Sequence, residues 1–407
     1  MVQRRHVLIG VGGGIAAYKV CTVVSTLAKS DVEVRVVLTD RAEQFVTALT
    51  FACLSRNQAY NDNDFWDATH PRPLHIDLGE WADVILLAPL TANTLAKITY
   101  GLADNLLTNL VLASSCPVLV APAMNTDMWE QLSVQQNWQV LASNPRYHAA
   151  KPGSGVLACD RVGMGRMAEP QQLHSHVRSL LYTGGTRDLV GKHILISTGG
   201  TREFLDPVRF IGNPSTGKMG VALAQAAVHR GATVTLVHGP METELLSSLN
   251  NVMTYGVTSA DEMQARLIEQ APRVDWIVMA AAVADVKPAD YHAQKLPKRS
   301  LPTDLQLTHV PDILTQLSHH KQPHQTIIGF AAQSGDIVPP ALDKLMKKKL
   351  DVIVANPIDH PSSGFGHDMN QAIMLTSKGD RREIPLCSKL EMAHRVFDFV
   401  LSTVSIC

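Results

Sequence analysis

The amino-acid sequence predicts an α/β protein made of two tandem domains. Its 407 residues exceed the roughly 100–200 residues of an ordinary domain. An apolar strand pattern, a glycine turn and a helical pattern follow one another twice, at residues 6–20 and again at residues 194–220. This order is typical of phosphate binding by backbone N–H groups. We therefore expect two nucleotide-binding domains, comprising residues 1–189 and 190–407.

The composition indicates small molecules and further copies of the chain as partners. The formal net charge is −1 and no long basic run occurs, so neither nucleic acid nor a membrane surface is an expected partner. No apolar stretch approaches the roughly 20 residues that span a bilayer, and the N-terminus lacks a signal-peptide pattern, which favours a cytoplasmic protein. The six cysteines are far apart and form no C-x-x-C pair, so reduced thiols are expected rather than disulfides or a metal site.

The first glycine turn contains Gly10 and the run Gly12, Gly13 and Gly14. It resembles the dinucleotide fingerprint G-x-G-x-x-G, but Ile15 stands where the third glycine is required. A tight strand-to-helix turn without a ligand is therefore an alternative to phosphate binding.

The next strand pattern covers Val32–Leu38 and completes a parallel βαβ unit. It ends in Thr39 and Asp40, which we expect to cap the following helix. The turn-rich residues 55–73 are expected to form a surface excursion.

Three residues in the first half are candidates for chemistry because of where they stand relative to predicted strands. His75 precedes a buried strand at residues 83–88 and has either a structural or a catalytic role. Met124 and Asn125 follow an apolar strand at residues 117–121. Ligands bind at the carboxyl ends of parallel strands, although a simple turn is the alternative for these two residues.

A further candidate is Cys159, within the glycine-rich segment 152–170. Irregular segments of this length are commonly lids or binding loops, and we expect this one to be a lid. Arg161 and Arg166 bring positive charge close to the thiol, which favours a reactive cysteine. An inert cysteine is the alternative.

The second half contains a buried strand at residues 276–280 that leads to Asp285, a natural ligand for a ribose or a metal. A short helix is predicted from Pro311. Lys344 and Lys348 belong to a lysine cluster on one helix, which either faces solvent or reaches a triphosphate.

Residues 212–218 fit G-x-x-x-x-G-K, but residue 219 is methionine rather than serine or threonine, which argues against a P-loop ATPase.

Taken together, these motifs resemble the bacterial bifunctional phosphopantothenoylcysteine decarboxylase and phosphopantothenate–cysteine ligase family of coenzyme A biosynthesis. The resemblance covers nearly the whole chain. It depends on the order and spacing of eight segments: GGGIAAYK, LHIDLGEWAD, APAMN, ACDRVGMGRMAEP, GGTREFLDPVRFIGN, STGKMG, AAAVAD and GFAAQ.

For the first domain the resemblance implies a flavodoxin-like, doubly wound parallel sheet that binds FMN and decarboxylates a cysteinyl substrate. FMN accepts a hydride in that family, which lets CO₂ depart as an enethiol forms. His75 would act as an acid and base, Asn125 would orient the substrate carboxylate, and Cys159 would protonate the enethiol. The flavin-binding residues implied are Gly12, Gly13, Gly14 and Met124.

For the second domain the resemblance implies a Rossmann-like α/β ligase that uses CTP with Mg²⁺ to form an acyl-cytidylate before the cysteine amine attacks. Asn213 would contact the acyl-cytidylate, and Lys295 would stabilise charge on the reacting phosphate. Mg²⁺ would be held mainly by the CTP phosphates. The nucleotide-binding residues implied are Ser215, Asp285, Pro311, Asp312, Ile313, Leu314, Phe330, Lys344 and Lys348.

The family also implies the substrates 4'-phosphopantothenate, L-cysteine and CTP, and a homo-oligomer with trimeric flavin domains and dimeric ligase domains. The chain departs from the family pattern at Pro214, Gln333, Gln294 and Pro297, around the ligase site. A different class of function is a non-catalytic flavin-binding regulatory protein with a nucleotide-binding module. The presence of His75, Asn125 and Cys159 argues against that class.

Overall fold

The structure is a computed structural model that describes residues 5–68, 70–156, 161–301, 303–359, 364 and 366–404. The chain divides into two compact units, one ending at Thr186 and the other beginning at Arg187. Each unit has its own sheet and its own hydrophobic core. None of the helices in the described part of the chain has the length and apolar character needed to cross a membrane.

The first unit has alternating strands and helices. Its strands are β1 (Arg5–Val11), β2 (Val32–Leu38), β3 (Ala59–Tyr60), β4 (Val84–Leu90), β5 (Val118–Pro122), β6 (Tyr147–Ala149), β7 (Gly153–Val156) and β8 (Val162–Arg166). Its helices are α1 (Ala17–Ala28), α2 (Ala48–Ser55), α3 (Asp62–Phe65), α4 (Leu74–Trp81), α5 (Ala92–Tyr100), α6 (Leu106–Ala113), α7 (Thr126–Glu130), α8 (Leu132–Ser143) and α9 (Pro170–Thr183).

The main sheet of this unit has the strand order β3-β2-β1-β4-β5-β6, and all its pairings are parallel. Without the two-residue edge strand β3, the order is the 2-1-3-4-5 order of flavodoxin. The strand order reverses direction between β1 and β4. The flavodoxin-like fold predicted for the first domain is therefore confirmed.

Side chains of β1 alternate between two cores, as the period of a strand requires. Val7 and Ile9 pack with α1, α2 and α9 on one face of the sheet. Leu8 packs with α4, α5, α6 and α8 on the other face. Helices therefore cover both faces, and the polar carboxyl edge of the sheet is left for a site.

The described residues of the 55–73 segment lie mostly at the surface, as expected, and include the short elements β3 and α3. Two other local predictions for the first unit were wrong. Thr39 and Asp40 do not cap a helix, because the Thr39 hydroxyl donates back to the Val11 carbonyl and a short 3₁₀ turn begins at Ala42. The glycine-rich segment 152–170 is not irregular, since β7 and β8 pair there as an antiparallel hairpin. Cys159 lies outside the described residues.

The described residues of the second unit form an eight-stranded sheet and two small two-stranded sheets. Its strands are β9 (His193–Thr198), β10 (Arg202–Phe204), β11 (Phe210–Gly212), β12 (Thr233–His238), β13 (Val252–Gly256), β14 (Trp276–Met279), β15 (Val286–Pro288), β16 (Leu307–His309), β17 (Thr326–Gln333), β18 (Val352–Pro357), β19 (Met369–Thr376) and β20 (Arg381–Ser388). Its helices are α10 (Lys218–His229), α11 (Thr243–Ser247), α12 (Ala260–Gln270), α13 (Ile313–His319), α14 (Val338–Lys347) and α15 (Lys389–Thr403).

The sheet of the second unit has the order β13-β12-β9-β14-β17-β18-β19-β20. The first six strands are parallel and follow the 3-2-1-4-5-6 order of the Rossmann fold. The last two strands pair with each other as an antiparallel hairpin that extends this sheet beyond β18. The predicted Rossmann-like fold is confirmed, and its switch point lies between β9 and β14.

Candidate functional site

The glycine turn after β1 is closely packed at two of its three positions. The Gly12 N–H donates to the Pro89 carbonyl at 3.2 Å, and a Cβ atom at residue 12 would lie 2.4 Å from that oxygen. A Cβ atom at Gly13 would lie 2.3 Å from Arg41 Cβ. Packing therefore explains the first two glycines. At Gly14 the nearest atom would be 3.7 Å away, so packing does not require glycine there.

His75 is the second residue of α4, the helix that leads into β4. After this helix Asp83 pairs with the backbone of His6 at the amino end of β1. The opposite end of α4, which carries His75, therefore lies towards the carboxyl edge of the sheet. The ring packs edge-on against Phe65 at 5.4 Å. Its Nδ1 atom is buried and has no hydrogen-bond partner, an uncommon state that marks a nitrogen available to a ligand.

Asn125 follows β5 directly and is the N-cap of α7. Its Oδ1 atom accepts a hydrogen bond from the Met128 N–H at 2.8 Å. Both Met124 and Asn125 are half-buried. The cap orients the amide group, because Oδ1 has to face the helix and Nδ2 then faces away from it.

The β7–β8 hairpin packs against this loop at the end of β5. The Met124 N–H donates to the Gly165 carbonyl at 3.0 Å. A Cβ atom at Gly165, where φ is +128°, would lie 2.2 Å from the Met124 carbonyl oxygen, and one at Gly163 would lie 2.3 Å from Thr126 Oγ1. Only glycine permits so close an approach. Thr126 Oγ1 is itself buried without a hydrogen-bond partner.

A small network of charges joins the hairpin to the start of α1. Glu169 is paired with Arg166 of β8 at 2.9 Å and with Lys19 at 3.0 Å. Lys19 is the last residue of GGGIAAYK, so the glycine turn and the hairpin are linked through one carboxylate. A second pair joins Arg161 to Asp127 of α7 at 2.6 Å. Neither the Lys19–Glu169 ion pair nor the Arg161–Asp127 ion pair can be predicted from the sequence, because the partners are far apart along the chain.

In the second unit a cavity of about 780 Å³ lies at the carboxyl ends of β9, β14 and β17, where the topology places a ligand site. It brings together every residue predicted for the second domain's site except Lys295. These residues are Asn213, Ser215, Asp285, Pro311, Asp312, Ile313, Leu314, Phe330, Lys344 and Lys348. Lys295 is exposed and does not line the cavity.

Asn213 is fixed against the chain that follows β14. Its Nδ2 donates to the Val283 carbonyl at 3.0 Å. The Asn213 carbonyl lies so close to Gly200 that a Cβ atom there would approach it to 2.6 Å. The loop after β11 therefore packs directly against the segments that follow β9 and β14, on either side of the switch point.

Two lysines and an aspartate form one end of the cavity. Lys344 Nζ donates to the Phe330 carbonyl at 2.9 Å. Burial lowers the pKa of Lys344, and the positive charge of Lys348 lowers it further. Lys348 pairs with Asp312 and donates to Thr315 Oγ1 at 3.0 Å. Burial raises the pKa of Asp312, but the Lys348 hydrogen bond and the N–H of Thr315 lower it by more.

The cavity also contains residues that the sequence analysis did not single out. Asn356 of β18, Asn370 of β19 and Lys389 at the start of α15 line it. Each belongs to an ordinary strand or helix, so nothing in its local sequence distinguishes it. In the described part of the chain, no group of three or more His, Cys, Asp or Glu side chains could hold a metal ion.

The two folds and their polar carboxyl edges define the class of protein. A flavodoxin-order sheet is followed by a Rossmann-order sheet with a lysine-lined cavity at its switch point. This combination is that of a two-domain, nucleotide-binding α/β protein.

Comparisons with known proteins identify the family. Residues 1–182 match the Flavoprotein family, and residues 189–404 match the family described as DNA/pantothenate metabolism flavoprotein C-terminal domain. The chain is 39% identical to the coenzyme A biosynthesis bifunctional protein CoaBC of Bacillus subtilis (strain 168), over 97% of this chain and 96% of that protein. The chain belongs to this family of bifunctional coenzyme A biosynthesis proteins, which confirms the predicted resemblance.

Two other similarities were found. A cysteine/cysteine sulfinic acid decarboxylase from an unknown prokaryotic organism is 39% identical, over 88% of this chain and 99% of that protein. The solved C-terminal domain of a coenzyme A biosynthesis bifunctional protein CoaBC is 35% identical, with a TM-score of 0.45, over 54% of this chain and 99% of that structure.

Proposed function

We propose that the chain catalyses two successive steps of coenzyme A biosynthesis. Residues 190–407 ligate L-cysteine to 4'-phosphopantothenate with CTP, and residues 1–189 decarboxylate the product to 4'-phosphopantetheine. The observation that carries this proposal is the second-unit cavity, because it contains almost all the residues that the family motifs assigned to nucleotide binding. Similarity to the B. subtilis protein along nearly the whole of both chains supports the same conclusion.

The first domain fits a bound FMN. Its sequence matches the Flavoprotein family, and buried His75 Nδ1 and Thr126 Oγ1 both have unused hydrogen-bonding capacity. A bound flavin supplies the hydride acceptor that makes loss of CO₂ feasible.

Three residues act on the substrate in this proposal. Asn125 donates from Nδ2 to the substrate carboxylate, since its Oδ1 is the helix cap. His75 moves a proton at its ring nitrogen. Cys159, outside the described residues, gives its Sγ proton to the product carbon.

The second domain activates a carboxylate, which a nucleotide does by forming a mixed anhydride. Asn213 contacts this acyl-cytidylate from the loop after β11. Lys295 stabilises negative charge on the reacting phosphate. Although Lys295 is exposed, its neighbour Leu296 is held by a hydrogen bond from its N–H to Asp206, so the segment that carries Lys295 has a fixed point beside it. Mg²⁺ arrives with the nucleotide phosphates in this proposal.

A second candidate function is decarboxylation of free cysteine or a related small substrate. The relative named cysteine/cysteine sulfinic acid decarboxylase favours it, because its identity to this chain equals that of the B. subtilis protein. The lysine-lined cavity of the second unit favours the bifunctional proposal, since decarboxylation alone requires no nucleotide.

The visible absorption spectrum and two assays test the proposal. We expect a yellow protein that contains FMN, releases pyrophosphate only with CTP, Mg²⁺ and 4'-phosphopantothenate, and releases CO₂ from 4'-phosphopantothenoylcysteine. A colourless protein that releases no CO₂ would exclude the decarboxylase. Equal turnover with ATP would exclude the CTP assignment, and faster CO₂ release from free cysteine would favour the second candidate.

A further inference from the structure

The cavity of the second unit has two ends that differ in charge. At one end Lys344 and Lys348 are accompanied by the carboxylates of Asp285 and Asp312. At the other end Lys218 and Lys389 are accompanied, among the described residues, by a single carboxylate, that of Asp368, which pairs with Lys218. The first end is close to neutral, and the second carries excess positive charge.

Lys389 is a buried lysine at the first position of α15. Only 8% of its surface is exposed, and its Nζ lies 3.4 Å from the Gly364 carbonyl, a long hydrogen bond. Among the described residues no carboxylate lies within ion-pair distance of this Nζ. Burial lowers the pKa of Lys389 and the charge of Lys218 lowers it further, whereas the negative charge of Asp368 acts in the opposite sense and only partly offsets them. A buried ammonium without an ion-pair partner is unfavourable by itself, so this group is suited to receive an anion from the cavity.

Lys218 approaches from a different element. It is the first residue of α10, which follows Gly217 in the left-handed conformation at φ +81° and has no side-chain cap. Its Nζ pairs with Asp368 at 2.7 Å and donates to the Gly366 carbonyl at 3.0 Å. The Asp368 side chain is 86% exposed, so a solvated carboxylate is the group that an incoming phosphate has to replace.

The charge difference orients a nucleotide in the cavity. Carboxylates accept hydrogen bonds from hydroxyl and amino groups but repel phosphates, so Asp285 and Asp312 suit the nucleoside. The two phosphates beyond the α-phosphate then extend towards α10 and α15. Backbone N–H groups at the α10 N-terminus and the two ammonium groups there all favour negative charge.

We propose that Lys389, together with Lys218, binds the β- and γ-phosphates of the nucleotide and holds them as leaving pyrophosphate. This inference rests on the proposed ligase function. A substrate carboxylate oxygen attacks the α-phosphorus, and the bond from that phosphorus to the bridging oxygen breaks. The electron pair stays on that oxygen, and the two lysines neutralise the negative charge that develops on the pyrophosphate.

Calorimetric binding of CTP, CMP and inorganic pyrophosphate to the full chain with Mg²⁺ tests this assignment. Lys389→Gln should weaken binding of CTP and pyrophosphate roughly tenfold to a hundredfold, as loss of a charge-assisted hydrogen bond does. Binding of CMP, which lacks both outer phosphates, should be unchanged. Lys389→Arg should retain most of the pyrophosphate affinity. The matched control is Lys378→Gln, a change at an exposed lysine on the β19–β20 turn.

Other outcomes would contradict the role of Lys389 or the proposed ligase function. Equal loss of CMP and CTP affinity in Lys389→Gln would show that Lys389 only supports the fold, and unchanged CTP affinity would remove it from the site. If Lys389→Gln does not fold, loss of pyrophosphate binding in the folded Lys389→Arg protein would overturn the proposal. Wild-type protein that binds neither CTP nor CMP would instead refute the proposed ligase function.

Discussion

At the scale of single residues, Asp206 links two loops of the second domain. Its side chain is fully buried. The carboxylate accepts hydrogen bonds from the N–H groups of Val208 at 2.9 Å and Arg209 at 2.8 Å, and from Leu296 at 3.2 Å. The guanidinium of Arg209 also pairs with it. Leu296 directly follows Lys295, so this one carboxylate restricts where the predicted catalytic lysine can lie.

The surroundings of Asp206 predict that the stability of the folded protein depends on pH. Burial by itself raises the pKa of Asp206, but three backbone N–H groups and Arg209 lower it to about 2, from 3.8 for an unperturbed aspartate. The folded-state pKa is therefore below the unfolded-state pKa. The stabilisation is present above about pH 4 and is lost as the pH falls towards about pH 2.

We expect Asp206→Asn to lower the thermal unfolding midpoint by several degrees near neutral pH, because the buried donors lose a charged acceptor. The difference from wild type should shrink as the pH falls from about 4 towards about 2, because the wild-type carboxyl of the folded protein becomes protonated only near its pKa of about 2. Circular dichroism melts across pH measure both effects. Asp290→Asn, at an exposed position, is the control, and a difference that stays constant with pH would contradict this account.

At the scale of elements, the β7–β8 hairpin is the part of the first domain that the sequence did not predict. Its many glycines suggested an irregular loop. In the structure Gly163 and Gly165 are strand residues that let β8 lie directly on the loop after β5. The hairpin thus holds Met124 and Asn125 from one side.

Gly165→Ala should therefore damage the decarboxylase and spare the ligase. The new Cβ atom would lie 2.2 Å from a backbone oxygen at a φ of +128°, which forces the hairpin away from Asn125. We expect decarboxylation to fall roughly tenfold or more, since small displacements of positioned groups are costly. Gly153→Ala is the matched control in the same hairpin, because its nearest neighbour would be 4.0 Å away. Wild-type decarboxylation in Gly165→Ala would refute this role of the hairpin.

At the scale of the whole molecule, the chain consists of two complete α/β units with separate cores. Each unit contains residues suited to one chemical step, and the proposed product of the second unit is the proposed substrate of the first. The two activities should therefore be separable by substitution.

Cys159→Ser should abolish formation of 4'-phosphopantetheine while leaving CTP-dependent pyrophosphate release intact. Lys295→Gln should abolish ligation but decarboxylate added 4'-phosphopantothenoylcysteine at the wild-type rate. A mixture of the two variants should form 4'-phosphopantetheine from 4'-phosphopantothenate and cysteine, because the intermediate diffuses between molecules. Product analysis by mass spectrometry measures all three. Loss of both activities in either single variant would argue against separate sites.

The sequence by itself determined the two folds, the family and the likeness of both halves to nucleotide-binding units. These properties depend on local patterns: apolar strands, glycine turns and residues such as Thr91, Asn105 and Ser259, whose side chains cap the helices that follow them. The order of the motifs along the chain identified the family. The roles of His75 and Asn125 stay predictions.

Only the tertiary structure decided which distant residues meet. Lys389 follows Lys218 by more than 170 positions, yet both line one cavity, because parallel strands bring the ends of separate helices to one edge of a sheet. The link from Glu169 to Lys19 and the burial of Asp206 beside Leu296 are of the same kind. The helix and strand propensities of single residues cannot predict such contacts. The contacts depend on the order of the strands in the sheet and on packing between elements that are remote in the chain.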